Sequence, residues 1–201
     1  MATATQSSTS KSKSSKSASS KSASTKKSSS SSASKSTAKK TSTSTRTRTE
    51  AVALLKRDHR AVEKMFREFE KSKDDNQKME LAQQICMELR IHTQIEEEIF
   101  YPASREFVKD EDTVNEAEVE HQSAKDLIAQ IEKMQPSDQY FSAKVKVLKE
   151  MVEHHVEEEE KEYFPEVEKS EMDLKTIGQQ LAARKEELMG QMGGGKSRAM
   201  H

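Results

Sequence analysis

Two histidine–glutamate pairs with the same spacing are the residues of this sequence best suited to chemistry. Glu96 lies four residues after His92, and Glu159 lies four residues after His155. In both copies a proline follows the glutamate by six residues. Positions i and i+4 share one face of an α-helix, so each pair directs an imidazole and a carboxylate to the same point. The two pairs together predict part of a metal site inside a helical protein.

Two further histidines, one in each of two other segments, fall in step with apolar residues that recur at helical spacing. A polar side chain facing a core costs free energy unless it has a partner, and two buried carboxylates repel each other unless a cation lies between them. A single histidine in such a stripe is more often a satisfied core residue. Four in register with two glutamates predict a dinuclear metal site. The predicted ligands are His59, His92, Glu96, His121, His155 and Glu159.

The types of these side chains restrict the metal. Six protein ligands are too few to saturate two octahedral ions, so the glutamates are expected to bridge ions ~3.5–4 Å apart, the usual spacing of two-metal sites. A bridging hydroxide would leave a centre of charge about +1 with room for an outside ligand. Mixed nitrogen and oxygen ligation without thiolate suits iron or manganese, and zinc is an alternative.

Amphipathic segments carry these residues, and almost no strand pattern accompanies them. The apolar stripes run over about 49–72, 76–108, 112–134 and 138–163, with short polar breaks between them. Short loops between long helices favour antiparallel neighbours. The sequence therefore predicts an all-α fold, an antiparallel up-down four-helix bundle. A further amphipathic stretch, about 171–189, is consistent with a short C-terminal fifth helix.

A Ser- and Lys-rich segment precedes these helices. Residues 1–49 contain twenty Ser and no acidic residue, aromatic residue, Leu, Ile or Val. They hold 11 of the 34 Lys and Arg, whereas all 35 Asp and Glu follow, so the charges of the two parts are +11 and −12. Such a segment cannot bury enough apolar surface to offset its ordering entropy. The predicted divisions are a disordered tail (1–49), a bundle (50–168), a C-terminal helix (169–190) and a flexible end (191–201).

Composition also bears on location and partners. No apolar run approaches 18 residues, so no membrane span is predicted, and no hydrophobic segment follows the basic start as in a signal peptide. The single cysteine, Cys86, cannot form an internal disulfide, which favours a reducing compartment such as the cytoplasm. An organellar transit peptide is a weaker reading of the tail. The positive charge of residues 1–49 would attract nucleic acid without base preference. The alternative is that this segment is a solubilising linker.

The ligand pattern, with Phe-Tyr-Pro and Tyr-Phe-Pro following the two pairs, resembles the hemerythrin-like family, in particular its histidine–histidine–glutamate (HHE) cation-binding domains. The resemblance covers about residues 50–168. It implies a four-helix bundle with a non-haem di-iron centre, oxo- or hydroxo-bridged, that binds dioxygen or related molecules such as peroxide and nitric oxide. Oxygen-carrying members place another histidine where this chain has Lys125. The missing ligand opens one metal position, which favours reaction or sensing over oxygen carriage.

The expected function is therefore metal and small-molecule binding in oxygen, oxidative-stress or iron handling. One alternative is an oxygen- or metal-sensing module whose basic tail contacts a polyanion such as DNA. Another is an accessory protein that coats DNA and protects it from iron and peroxide. The sequence leaves open whether the chain is a carrier, a sensor or an enzyme.

Overall fold

The computed structural model describes residues 50–108 and 111–193. Their regular structure is entirely helical, with no strand in either range, so the prediction of an all-α protein is confirmed. The predicted tail lies outside the described residues. In chain order the helices are α1 (Glu50–Lys71), α2 (Asp75–Ile95), π1 (Glu96–Phe100), α3 (Tyr101–Ser104), α4 (Glu111–Ile131), α5 (Phe141–Glu158), π2 (Glu159–Tyr163), α6 (Phe164–Lys169) and α7 (Leu174–Gly193).

Short polar connections join helices that pack on one another. Between α1 and α2, the Asp74 carboxylate caps α2 by accepting the Gln77 N–H at 2.8 Å. Between α4 and α5, the Asp138 carboxylate accepts the Gln135 N–H at 2.7 Å. These side chains satisfy backbone donors that a tight turn leaves without partners, and so they end one helix and begin the next within a few residues.

Neighbouring helices run in opposite directions, as the side-chain pairs between them show. Glu70 near the end of α1 pairs with Lys149 in the first half of α5, whereas Arg60 pairs with Glu160 beyond the end of α5. The same reversed order holds for Arg90–Glu132 with Glu97–Lys125, between the α2–π1 segment and α4, and for Gln130–Lys144 with Glu120–His155, between α4 and α5. Helix α7 packs on α1 and α2.

Two apolar clusters fill the interior. One contains residues from the start of α1, the end of α2, the π1–α3 and π2–α6 segments and α7, including Leu55, Ile95 and Leu181. The other lies toward the opposite end and includes Phe66, Ile85 and Leu148. Burying a large aliphatic or aromatic side chain stabilises a fold by about 1.5–3 kcal/mol, so these clusters stabilise the scaffold. The predicted ligands belong to neither cluster.

A π-helical turn begins at the glutamate of each His–Glu pair. The N–H of Tyr101 donates to the carbonyl of Glu96, and that of Phe164 donates to Glu159, in both cases five residues back. The next residue is a proline, which has no N–H to donate. The wide turn adds a residue without ending the helix, and such turns often occur at functional sites. The 3.6-residue periodicity of the sequence predicted α-helix here and did not register the added residue.

No helix in the described part of the chain is both long and apolar enough to cross a membrane.

Candidate metal centre

All six predicted ligands lie together in the interior of the bundle. Each is buried, and the exposed fraction reaches only 8% for the most accessible of them, His155. His59 comes from α1, His92 from α2, His121 from α4 and His155 from α5, while the two glutamates begin the π turns. The structure thus gathers one histidine from each of four helices.

The imidazoles form two close pairs. Nε2 of His59 lies 3.0 Å from Nε2 of His92, and Nε2 of His121 lies 3.1 Å from Nε2 of His155. The rings of each pair meet edge to face, with centroids 4.8 and 4.7 Å apart. Each pair therefore presents two ring nitrogens to one small volume.

Each glutamate spans both pairs through a single oxygen. Oε2 of Glu96 lies 3.2 Å from Nε2 of His92 and 3.5 Å from Nε2 of His121. Oε2 of Glu159 lies 3.3 Å from Nε2 of His59 and 3.7 Å from Nε2 of His155. Because one carboxylate oxygen approaches a member of each pair, the geometry suits two cations held by carboxylates that reach both.

The outer nitrogens of the four imidazoles all face carboxylates. Nδ1 of His59 donates to Glu160 at 2.9 Å. Nδ1 of His121 and of His155 donate in the same way to Glu97 at 3.0 Å and Glu120 at 2.9 Å. Nδ1 of His92 faces Asp58 at 3.7 Å, which is too long for a hydrogen bond. An ionised carboxylate only accepts hydrogen bonds, so a bonded Nδ1 carries the proton and leaves Nε2 with a lone pair.

This arrangement fits bound cations better than it fits the side chains alone. In the His121–His155 pair both Nδ1 atoms are bonded, so in neutral rings two Nε2 lone pairs face each other at 3.1 Å and repel, and a cation or a proton between them removes the repulsion. Among the described residues, the buried side-chain nitrogen and oxygen atoms without a hydrogen-bond partner all belong to this cluster: Asp58 Oδ2, His92 Nδ1, both Glu96 oxygens and Glu159 Oε2. Buried polar atoms are normally partnered, so these orphaned atoms indicate a bound group.

Electrostatics divides the two glutamates. Burial and the neighbouring Glu159 charge raise the pKa of Glu96 well above its usual range. Burial also acts to raise the pKa of Glu159, but His155 and His59 outweigh it and hold that pKa low. Burial lowers the pKa of His92 to about 4. Before metal binds, the two carboxyls therefore favour one charged and one neutral form.

Tyr101 makes the two halves of the site inequivalent. Its hydroxyl, buried in the core, donates to Glu159 Oε1 at 3.0 Å. The residue at the same place in the second repeat is Phe164, which stacks on His59 with centroids 5.8 Å apart and has no hydroxyl to offer Glu96. Tyr163 instead shares a short hydrogen bond with Ser104. Burial and the Glu159 charge raise the pKa of Tyr101, so its hydroxyl keeps its proton.

A small cavity touches all four histidines and neither glutamate. Its volume of about 30 Å³ is the space of one water molecule or a diatomic ligand. Apart from polar groups of the site, its walls are mainly aliphatic: Val62, Leu89, Ala124, Met151, Val152 and Val156. The cavity beside the histidines is therefore largely aliphatic, whereas Glu159 and Tyr101 line a second small pocket together with His155 and Tyr163.

The ligands predicted from the sequence do not include the outer carboxylates, which are Asp58, Glu97, Glu120 and Glu160. Each directly precedes or follows a predicted ligand. One step along a helix rotates a side chain by about 100°, which turns it toward a neighbouring helix. An acidic residue beside each buried ligand was the signal that could have found them. The position of the missing family histidine, Lys125, contacts Glu97 at 2.5 Å.

The model of the hemerythrin HHE cation-binding domain family matches residues 50–167 of the sequence. The chain belongs to this family. The family resemblance inferred from the sequence is confirmed, and with it the assignment of a metal-binding helical domain. Among the described residues, two buried groups have ligand atoms close enough to hold a metal ion: His59, His92, Glu96 and Glu159, and Glu96, His121 and His155. A third and more exposed group is Glu120, His154 and Glu158.

Two similar proteins share part of this chain. A crystal structure of an HHE cation-binding domain-containing protein from Mycobacterium kansasii is 24% identical, with a TM-score of 0.62 over 75% of this chain and 94% of that one, and it shows the same fold. A DNA nickase from Nostoc sp. (strain PCC 7120) is 34% identical over 111 residues, which cover 55% of this chain and 31% of the nickase. The matched part is thus about a third of that protein's length.

Proposed function

We propose that this HHE domain binds two iron ions and acts on dioxygen, nitric oxide or peroxide. His59 and His92 would hold one ion, His121 and His155 the other, and Glu96 and Glu159 would bridge them. The scaffold would be an antiparallel up-down four-helix bundle with α7 as its fifth helix. The chemistry that iron supplies when bound is one-electron transfer to and from such small ligands.

One observation supports this proposal above the others. The histidines form two pairs whose Nε2 atoms lie about 3 Å apart within each pair, and each glutamate has an oxygen that approaches one histidine of each pair. Nitrogen and oxygen ligands without sulfur suit iron or manganese. Cys86 lies in an apolar cluster that does not include the predicted ligands. The donor set therefore favours a hard, redox-active pair of ions over a thiolate-bound one.

The chain's own residues would select the ligand. The cavity beside the histidines has room for a diatomic molecule or water, and its aliphatic walls favour an uncharged ligand over an anion. Tyr101 would hold Glu159 through Oε1 and leave Oε2 for the metal side. Met151, which lines the cavity, is the side chain most exposed to oxidation by a reactive ligand there.

Metal analysis of anaerobically purified protein, with absorption spectra before and after air, tests the proposal. We expect about two irons per chain and a new near-ultraviolet iron band on oxidation. Consumption of peroxide or nitric oxide that depends on iron would identify an enzyme, whereas binding without turnover would identify a carrier or sensor. The iron assignment would be contradicted if the purified protein held two manganese or zinc ions per chain and no iron, and if the metal-free protein did not take up iron.

A sensor that contacts nucleic acid is the second candidate, because the matched relative is a DNA nickase and residues 1–49 carry eleven positive charges. Such contacts would neutralise phosphates and weaken steeply as salt increases. Retention on duplex DNA, compared between the full chain and a chain lacking residues 1–49, tests it. Equal retention of both chains would contradict the proposal, whereas loss on deletion and at high salt would support it.

A further inference from the structure

Four carboxylates around the predicted ligands, here called the circuit, connect the helices in a closed ring because each one faces a histidine of the next helical segment. Asp58 on α1 faces His92 on α2, and Glu97 on π1 accepts from His121 on α4. Glu120 on α4 accepts from His155 on α5, and Glu160 on π2 accepts from His59 on α1. Each segment thus provides a histidine to the cluster and a carboxylate to the histidine of the next segment.

We propose that Glu160, Glu97 and Glu120 act as positioning residues that fix His59, His121 and His155 with Nδ1 protonated and Nε2 turned inward. Asp58 would do the same for His92 when the two side chains close to hydrogen-bond distance. This proposal rests on the proposed iron site and adds the residues that orient the histidine ligands of that site. A carboxylate behind a metal-bound imidazole fixes the tautomer and the ring orientation and strengthens the ligand. Here that support passes between helices, so binding at one histidine depends on the packing of its neighbour.

Cations outside the circuit hold three of the four carboxylates in place. Lys125 pairs with Glu97 at 2.5 Å, and Arg60 makes a short ion pair with Glu160. Lys185 of α7 pairs with Asp58 at 2.7 Å. The fourth carboxylate, Glu120, lies 3.7 Å from the exposed His154. Lys125 therefore has a structural role from outside the circuit, because it holds the carboxylate that orients His121.

The contact between Asp58 and His92 is the longest of the four histidine–carboxylate contacts. Asp58 Oδ2 and His92 Nδ1 are both buried and have no hydrogen-bond partner, at a separation of 3.7 Å. A shift of about 1 Å would complete this hydrogen bond. Because Lys185 holds the other oxygen of Asp58, the docking of α7 on α1 bears directly on this contact.

Glu160 and Glu63 provide a matched test, because both pair with Arg60 and only Glu160 also bonds a histidine. Methionine at either position has a similar length and no strong acceptor, whereas glutamine keeps an acceptor oxygen. The full-length chain would be prepared as wild type and as Glu160→Met, Glu160→Gln and Glu63→Met, with folding checked by circular dichroism. Glu97→Met against Glu98→Met repeats the comparison at a second contact, since Glu98 pairs with Arg184 and touches no histidine.

The first measurement uses metal-free protein and does not depend on iron. Long-range proton–nitrogen spectra of the imidazoles report which ring nitrogen carries the proton. We expect Nδ1 of His59 to be protonated in wild type and in Glu63→Met, and to lose this pattern in Glu160→Met. An unchanged His59 signal in Glu160→Met would overturn the inference.

The second measurement is anaerobic competition for ferrous iron against a chromophoric chelator. We expect affinity to fall about 10–100-fold in Glu160→Met, less in Glu160→Gln, and less than about twofold in Glu63→Met. Equal losses in Glu160→Met and Glu63→Met would show a general charge effect and would refute the circuit. If wild type bound no iron while the His59 pattern held, the proposed function would fail and the inference about the carboxylates would stand.

Discussion

The chemistry of this domain depends on the protonation of single nitrogen atoms. A neutral imidazole carries its proton on one of two ring nitrogens, and the hydrogen-bond partner of one nitrogen decides whether the other is free to bind a metal. In this chain three bonded carboxylates settle that choice for His59, His121 and His155. In these neutral rings the Nε2 lone pairs point into the interior of the bundle, where they need a partner such as a cation.

Removing one bridging carboxylate should remove metal. We expect Glu159→Ala to lower the metal content from about two ions per chain to one or fewer, because Oε2 of Glu159 approaches a histidine of each pair. The measurement is metal analysis after gel filtration. Glu157→Ala is the control, since its exposed side chain pairs with Lys161 away from the predicted ligands. Full metal content in Glu159→Ala would remove this residue from the ligand set.

The Tyr101 hydroxyl should contribute to stability through one hydrogen bond. Tyr101→Phe leaves Oε1 of Glu159 without its partner, and an unpartnered buried acceptor costs about 1–3 kcal/mol, more for a charged group. We expect the free energy of unfolding of the metal-free protein to fall by about that amount in urea titrations. Tyr140→Phe, at an exposed position, should change it by less than about 0.5 kcal/mol. Equal effects would argue against the buried hydrogen bond.

At the scale of the helices, the sequence predicted what lies on an apolar stripe and missed what lies beside it. His59 and His121 could be found because they replace core residues at helical spacing. Glu120 and Glu160 give a weaker signal, an acidic residue beside a predicted ligand, and the histidine that each one bonds depends on which helix packs next to theirs. The hydrogen bond from Tyr101 to Glu159 could not be predicted either, because it depends on the register that the π turn sets.

The helix ends show the same limit. The first predicted segment, 49–72, ends one residue beyond α1, because polar loop residues follow the helix. The second, 76–108, hides the π1 turn and runs past the observed end at Ser104. Hydrophobic spacing follows burial, and burial continues to Val108 after the helix has ended. A buried turn and a helix end therefore look alike in this pattern.

Helix α5 should stabilise the scaffold independently of the metal centre. Leu148 is fully buried in the cluster opposite α7, whereas its neighbour Val147 is 48% exposed. We expect Leu148→Ala to lower the free energy of unfolding by about 2–5 kcal/mol, and Val147→Ala by less than about 0.5 kcal/mol. Chemical denaturation of the metal-free variants measures both. A similar small loss for both would show that this end of the bundle is loosely packed.

For the molecule as a whole, the metal site is the level at which four helices meet. Two apolar clusters lie on either side of a polar layer that contains every predicted ligand. Without cations, that layer gathers two carboxylates and four imidazoles in a place that would otherwise be apolar. The unpartnered polar atoms of this layer therefore cost the metal-free fold stability, and a bound cation would stabilise the four helices that provide its ligands.

Metal loading should raise thermal stability, and more so at neutral than at acidic pH. Metal that binds only the folded chain stabilises it by about 2.7 kcal/mol at a free concentration 100-fold above Kd, roughly 5–10 °C in Tm for a domain of this size. Metal binding needs the Glu96 carboxyl, whose pKa is raised, to lose its proton, and it displaces any proton held between paired Nε2 atoms. Protons therefore compete with the metal as pH falls.

The sign follows from the direction of the Glu96 shift. In the metal-free fold, a raised pKa gives stability that is present below the unfolded value of about 4.5 and is lost as pH rises toward the folded value. Metal supplies the missing counter-charge where that loss is greatest. Calorimetry of loaded and chelator-treated protein at pH 7.5 and pH 5.5 should give a larger Tm difference at pH 7.5. A difference that is equal at both values, or larger at pH 5.5, would mean that the carboxylates do not exchange protons for metal.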